Sequence, residues 1–280
     1  MKERVYTPNS QVRSPLEMVR GMVGDLVESR HLAWRLFVRN IKSQYRQTLL
    51  GYFWLLAPPI FTTAIWVFLN KSKILNIGET SVPYPVYVLT GNILWQSFVQ
   101  SLTRPMNQIL GNKAVISKIN LPKEAFVISS LGGVVFQLFV RLLILVPVFL
   151  WFGIGFSLSL LLAPLGIVCV MAFGTSVGLM LLPINSLFTD VKKGIPMAMR
   201  AWFFLTPIIY PKPTEGIAGI LAEWNPASPL LLTTRDWLTG QQPGSLTPFL
   251  IVVAITIVLL AVGWILMRVA MPHLIERMNA

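Results

Sequence analysis

Between Arg46 and Lys71 the chain carries no charged residue, and it reaches that run directly from a stretch loaded with cations. About 20 uncharged, mostly apolar residues are what a helix needs to cross a bilayer. In the stretch just before, Trp34, Val38, Ile41 and Tyr45 recur at the helical repeat, and Arg35, Arg39, Lys42 and Arg46 form a stripe beside them. A basic stripe next to an aromatic-apolar one suits a helix lying along lipid headgroups. The expectation is an amphipathic interface helix over residues 32–47 joined without a linker to a first span. The plainer alternative is a solvated charged helix that merely precedes an anchor.

Composition supports a membrane setting. Only 12% of the 280 residues are charged and 54% are hydrophobic, whereas a soluble domain carries about 25% charge. The predicted fold class is an all-α integral membrane protein. The net charge of +12 reads as the cytoplasmic flanks of spans rather than a nucleic-acid surface, so no nucleic-acid partner is expected. Cys169 stands alone, which excludes a disulfide or thiolate metal site built within this sequence. Residues 1–30 hold no apolar core of the signal-peptide kind, so the first span is expected to direct insertion itself.

Six spans are predicted within residues 48–267, followed by a cytoplasmic tail over 268–280 and preceded by a cytoplasmic segment over 1–31. The first begins at Leu49 and carries Pro58 and Pro59; the second starts near Pro83. The third covers about Ala125 to Trp151 and the fourth about Ser157 to Pro183. A short fifth ends at Thr206 to Pro211, and the sixth covers about Leu246 to Met267. Residues 211–245 form an outer loop with two short helical patterns on either side of Asn225 and Pro226, too short to cross and predicted to be re-entrant. Nine cations from Lys2 to Arg46 fall inside under this topology, against Lys71, Lys73, Lys212 and Arg235 outside. That bias places both termini in the cytoplasm.

Two spans carry polar groups that lipid would not tolerate. In the second, Asn92, Gln96, Gln100 and Arg104 recur every four residues. Such a face must meet water, a substrate or another helix, and both a pore lining and an interhelical hydrogen-bonded seam fit it. In the third, Arg141 is the deepest cation by position, with Gln137 one turn earlier. An anion contact and snorkelling to the outer interface are equally open for it. The fourth span is rich in small residues, among them Gly166, Gly174 and Gly178, which favours close helix packing.

Several chemistries are missing. No G-x-x-x-x-G-K-S/T phosphate loop occurs, so an ATP site of that kind lies elsewhere. His31 and His273 are far apart, and no carboxylates pair within a span. No metal, cofactor or catalytic residue is expected on this chain, and Glu124 and Asp190 read as loop contacts.

Five stretches in register resemble the permease subunits of type-2 ABC exporters of polysaccharide (the O-antigen, capsular polysaccharide and teichoic acid group). They are Tyr45, Arg46, Gln47 and Thr48 with Leu50, Gly51 and Trp54; Pro83, Tyr84 and Pro85 with Gly91 and Trp95; and Lys118, Ile119 and Leu121 to Glu124. Phe188 to Val191 with Trp202, Phe203 and Thr206 to Pro211 follow, and then Asn225 and Pro226. Thr189 departs from the pattern, since such permeases often carry Arg there. The resemblance implies a homodimer clasped to two separate nucleotide-binding ATPase subunits, which would hold ATP and Mg. It also implies outer gate helices over residues 217–238 and a polyprenyl-pyrophosphate-linked glycan as cargo. Trp95, Phe98, Trp202, Phe203 and Tyr210 then become candidates for a sugar path, with packing an equal alternative. Arg35, Arg39, Lys42, Arg46, Lys118 and Asp190 become candidates for ATPase coupling. Rival readings are an exporter of drugs or lipids and a membrane glycosyltransferase.

Overall fold

The computed structural model describes Gly24 and residues 28–46, 50–75, 77–118 and 122–279. Gln47, Thr48, Ile119 and Leu121 of the sequence motifs lie outside the described residues, as do the side chains of Tyr45, Lys118 and Thr189. In chain order the helices are α1 Arg30–Tyr45, α2 Phe53–Lys71, α3 Tyr84–Gly111, α4 Lys113–Lys118 and α5 Glu124–Trp151. A 3-10 turn at Leu158–Leu161 leads to α6 Ala163–Leu187, α7 Thr189–Leu205, α8 Gly216–Trp224, α9 Ala227–Leu238 and α10 Thr247–Asn279. The described residues are helical with no strand.

Among the described residues, four helices are long and apolar enough to cross a membrane: α2, α5, α6 and residues Thr247–Ala270 of α10. The second and fifth expected spans are not among them, for different reasons. Helix α3 has 28 residues, about 42 Å at 1.5 Å per residue, but its amides and Arg104 lower its hydropathy. Most of its side chains are buried by other helices, so it needs no lipid-compatible surface. Helix α7 is only 17 residues long and carries Lys192, Lys193 and Arg200 on its exposed faces.

Other expected boundaries also shift: α2 begins at Phe53, and Leu49, where the first span was expected to start, lies outside the described residues. The fourth span begins at Ala163 rather than Ser157, because Ser157 caps the separate 3-10 turn Leu158–Leu161 and Pro164 takes an early position of α6, where its missing N–H costs nothing. The residues expected as a tail continue the last helix, since α10 runs on through residue 279. Gly153 just past α5 and Gly240 just past α9 take φ of +67° and +78°, the left-handed conformation that stops a helix at low cost only with glycine.

Helices α3 and α6 form the centre, with α2, α5 and α10 around them and α9 packed on both. The small-residue face of α6 makes this possible. A Cβ on Gly174 would stand 2.5 Å from the Phe98 carbonyl oxygen of α3, one on Gly178 would overlap the Leu102 carbonyl, and one on Gly166 would overlap Thr234 of α9. The outer helices are apolar toward the outside. On α5, Val135, Phe139, Leu143, Val146 and Leu150 form an exposed stripe, while Gln137 and Arg141 are buried on the opposite face. That arrangement is an amphipathic helix turned inside out, as a lipid-facing element requires. Buried hydroxyls return to their own helix, as when Thr90, Ser97, Thr175 and Thr256 donate to the carbonyl four residues back.

Candidate functional site

Helix α1 docks on α5 by a face the sequence pattern did not single out. Ala33 and Leu36 are buried, and the Phe37 ring lies over Gly132, where an added Cβ would sit 3.1 Å from Cδ2. One turn on, Asn40 Nδ2 donates to Ser129 Oγ at 3.4 Å, and Gln137 Nε2 donates to Gln44 Oε1 at 3.4 Å. Ile41, expected on the lipid side with Trp34 and Val38, instead lines a cleft against the bundle. The expected cationic stripe is on the free side: Arg35, Arg39, Lys42 and Arg46 are all exposed. Trp34 is 64% exposed beside them. The helix thus presents cations and an indole outward while amides hold it to α5.

The polar stripe of α3 turns mainly toward α5. Asn92 is buried and accepts from Gln96 Nε2 at 3.2 Å. With its amide oriented to satisfy its neighbours, Gln100 donates to Gln137 Oε1 at 3.0 Å and accepts from Arg141 Nη2 at 2.6 Å and Nη1 at 3.1 Å. Arg141 is only 4% exposed, so it does not snorkel: its guanidinium ends on a carbonyl of α3 inside the protein. The result is a relay from Arg141 through Gln100 and Gln137 to Gln44 that ties α5, α3 and α1 together. A cation at its head polarises such a chain, and charge-assisted links are the stronger ones. Here the seam describes Gln100 and Arg141 within one chain.

Arg104, one turn beyond Gln100, reaches the cleft between α1, α3 and α5, which has a volume of about 230 Å³. Its Nη1 lies close enough to Gly133 that an added Cβ would sit 3.2 Å away, so the glycine makes room for the guanidinium. Glu124, read from sequence as a loop contact, is buried instead. Its Oε1 accepts from Arg268 Nε at 2.9 Å and from Trp264 Nε1 at 3.4 Å, pinning the start of α5 to α10. Burial draws the neighbouring Lys123 ammonium below its usual range, against the opposing pull of Glu124. Asp190 is exposed in the first turn of α7.

At the opposite end of α3 the sequence-predicted aromatics pack on one another. Trp95 and Phe98 are buried; Trp95 lies 6.2 Å from Trp202 and 5.9 Å from Phe203 between ring centroids, and Phe98 lies 5.3 Å from Trp202. Trp95 and Phe98 are therefore core residues, and Trp202 and Phe203 are half-buried against them. The Tyr210 hydroxyl donates to the Phe204 carbonyl at 2.6 Å, and burial raises its pKa. Gly91 lets the Thr206 to Pro211 segment press on α3, since a Cβ there would meet the Ile208 carbonyl oxygen at 2.8 Å.

Asn225 and Arg235 carry more of this end than the sequence indicated. Trp202 Nε1 donates to Asn225 Oδ1 at 2.9 Å, Asn225 Nδ2 donates to Thr206 Oγ1 at 2.8 Å, and the Ala227 N–H donates to Asn225 Oδ1 at 3.0 Å. One amide thus joins the end of α7 to the start of α9. Arg235, expected as an outer cation, is buried: its guanidinium carbon stands 3.5 Å from the Tyr87 ring centroid and Nη1 donates to the Pro207 carbonyl at 3.3 Å. The Asn225–Pro226 pair flagged a break between helices, but nothing local revealed partners about 20 residues away. Arg200, on the exposed face of α7, was not singled out either.

Burial pushes the Asp236 carboxyl up from 3.8 to about 6, with Arg235 opposing. A carboxyl raised on folding favours the folded state below its unfolded pKa, and that contribution is lost as pH rises through about 6. Thermal stability of Asp236→Asn should therefore lack a downward step between pH 4 and pH 6 that the unmodified chain shows. Parallel profiles for the two proteins would exclude the effect.

Apolar helices long enough to cross a membrane, a docked amphipathic helix and a buried polar seam describe the fold without naming its family, and the family comparison decides that. The model of the ABC-2 type transporter family matches residues 31–236. This chain belongs to the ABC-2 type transporter family. Among relatives, this ABC-2 chain is 25% identical over 202 residues to the O-antigen export system permease protein RfbA of Klebsiella pneumoniae, covering 71% of this chain and 76% of that protein. It is 23% identical over 255 residues to the O-antigen export system permease protein RfbA of Myxococcus xanthus, covering 87% and 93%. ABC-2 chains are the transmembrane subunits of their transporters, and membership implies an ABC ATPase partner.

Proposed function

We propose that this chain is the channel-forming permease of an exporter that moves a lipid-linked, O-antigen-like polysaccharide across the cytoplasmic membrane in lipopolysaccharide biosynthesis. In this reading α3 and α7 add two spans to the four apolar ones, making six with both termini in the cytoplasm. Helices α8 and α9 are re-entrant at the outer face, and two copies enclose the path. Two separate ATPase subunits bind ATP and Mg and drive the cycle; the chain itself performs no chemistry.

One observation carries the proposal: α1 holds its cations outward while the Gln44, Gln137, Gln100 and Arg141 relay fixes its inner face to two helices of the bundle. A push on α1, and on the loops around Lys118 and Asp190, then moves α3 and α5 as rigid bodies. The O-antigen cargo rests on the names of the relatives and on the sequence motifs. Arg104 lies at the α1 end of α3, suited to drawing in the pyrophosphate of a polyprenyl-linked glycan.

Arg104→Glu tests that role. Reversing the charge should lower export about tenfold or more, the equivalent of ~1.4 kcal/mol, while co-purification with the ATPase subunit persists. Unchanged export would remove Arg104 from the path. Failure of any ATP-hydrolysing subunit to co-purify with the unmodified chain would undo the motor assignment.

A further inference from the structure

Of the cleft between α1, α3 and α5 the export reading uses Arg104 alone, and the rest of its lining has a chemistry of its own. Its volume of about 230 Å³ is below the ~300–1,000 Å³ typical of sites for drug-sized ligands, a size suited to a headgroup. Among the described residues its charged group is Arg104, surrounded by amides and hydroxyls of Asn40, Gln44, Asn107, Gln108 and Ser130, and no described carboxylate lines it. Gln108 Nε2 is buried there with no hydrogen-bond partner among the described residues, a donor that an acceptor-rich guest would satisfy. Phe37, Ile41 and Phe136 supply an apolar side to the same cleft. A wall rich in donors with one fixed guanidinium selects an anion with several oxygen acceptors, and the aromatic side selects one attached to a chain.

We propose that this cleft binds the phosphate of a lipid headgroup, held by Arg104 and Gln108, and that occupancy fastens α1 to the bundle. Two polar links of α1 to α5 among the described residues are 3.4 Å long, long for neutral hydrogen bonds. A phosphate that also engages Asn40 and Gln44 adds charge-assisted links across the same seam. The phosphate belongs either to a bilayer phospholipid or to the lipid-linked cargo. The second source rests on the proposed export function, and the first does not.

The test is native mass spectrometry of the full chain after exposure to phosphatidylglycerol, undecaprenyl pyrophosphate, diacylglycerol or inorganic phosphate. One phosphate-bearing lipid should be retained per chain and diacylglycerol should not; the better retained of the two lipids identifies the source. Asn107 is exposed at the cleft, so substitutions there test the site without disturbing the core. Asn107→Asp should weaken retention about tenfold through repulsion of the phosphate, and Asn107→Lys should retain the lipid at least as well as the unmodified chain. Equal retention of diacylglycerol, inorganic phosphate binding as tightly as either lipid, or indifference to both Asn107 substitutions would overturn the proposal. Each of these results is independent of whether the chain exports a glycan.

Discussion

Gly178→Leu should leave almost no folded chain in the membrane. A side chain at this position meets the Leu102 backbone carbonyl of α3, and Gly174, one turn earlier, meets the Phe98 carbonyl in the same way. Flexible side chains yield to such a contact by changing rotamer, but a helix backbone cannot, so α3 and α6 must separate along the length where they form the centre. A loss of about 4 kcal/mol or more is expected, in the range reserved for core disruption. Gly194→Ala is the matched control. Nothing lies within 4 Å of a Cβ at Gly194, and alanine in an exposed helix gains about 0.5–1 kcal/mol over glycine. Fluorescence-detected size-exclusion chromatography of the two variants distinguishes them directly: a monodisperse Gly178→Leu peak would contradict the assigned packing.

The second large effect concerns the Gln100–Arg141 pair. Gln100→Leu removes the carbonyl that accepts from both terminal nitrogens of Arg141 at 2.6 and 3.1 Å, and hydrogen bonds to a buried charged group contribute about 1.5–3 kcal/mol each. Arg141→Leu should cost less, since it withdraws the charge and leaves a neutral carbonyl behind. The double replacement should recover part of the loss, giving a coupling of about 1–3 kcal/mol in a double-mutant cycle. Thermal unfolding of the four proteins in detergent measures it. Additive losses would mean that the two side chains do not act as a unit. Because Gln137 passes the relay on to Gln44, the single variants should also weaken the hold on α1.

How far the sequence anticipated this fold differs from one element to the next. A cationic helix followed by an apolar one was readable because charge stops abruptly after Arg46, although the join itself, over residues 47–49, lies outside the described residues, and α5 and α10 were readable from hydropathy alone. The small residues of α6 pointed to close packing, as Gly174 and Gly178 show against α3. The docking face of α1 was not readable. Two apolar stripes compete along it, and the choice is made by Gly132, nearly a hundred residues away, which leaves room for Phe37. The position of Arg141 depended in the same way on Gln100 of another helix. Glu124 and Arg268 are 144 residues apart, and neither sits in a local pattern that names the other. Helix α3 looked like a lipid-crossing span because its length fits, yet its polarity is affordable only through burial by neighbours that a single-helix reading does not include.

Coupling between an external ATPase and the bundle through α1 is what every functional step here depends on. It is tested most directly in sealed vesicles that contain this chain with its ATPase subunit, or this chain alone, by following ATP-dependent protection of a lipid-linked glycan on the far side. Protection should accumulate with both subunits and ATP, and Gly132→Leu, which dislodges Phe37 of α1, should abolish it while ATP hydrolysis continues. Glycan movement by the chain alone, or full transport by the Gly132→Leu protein, would contradict a drive delivered through α1.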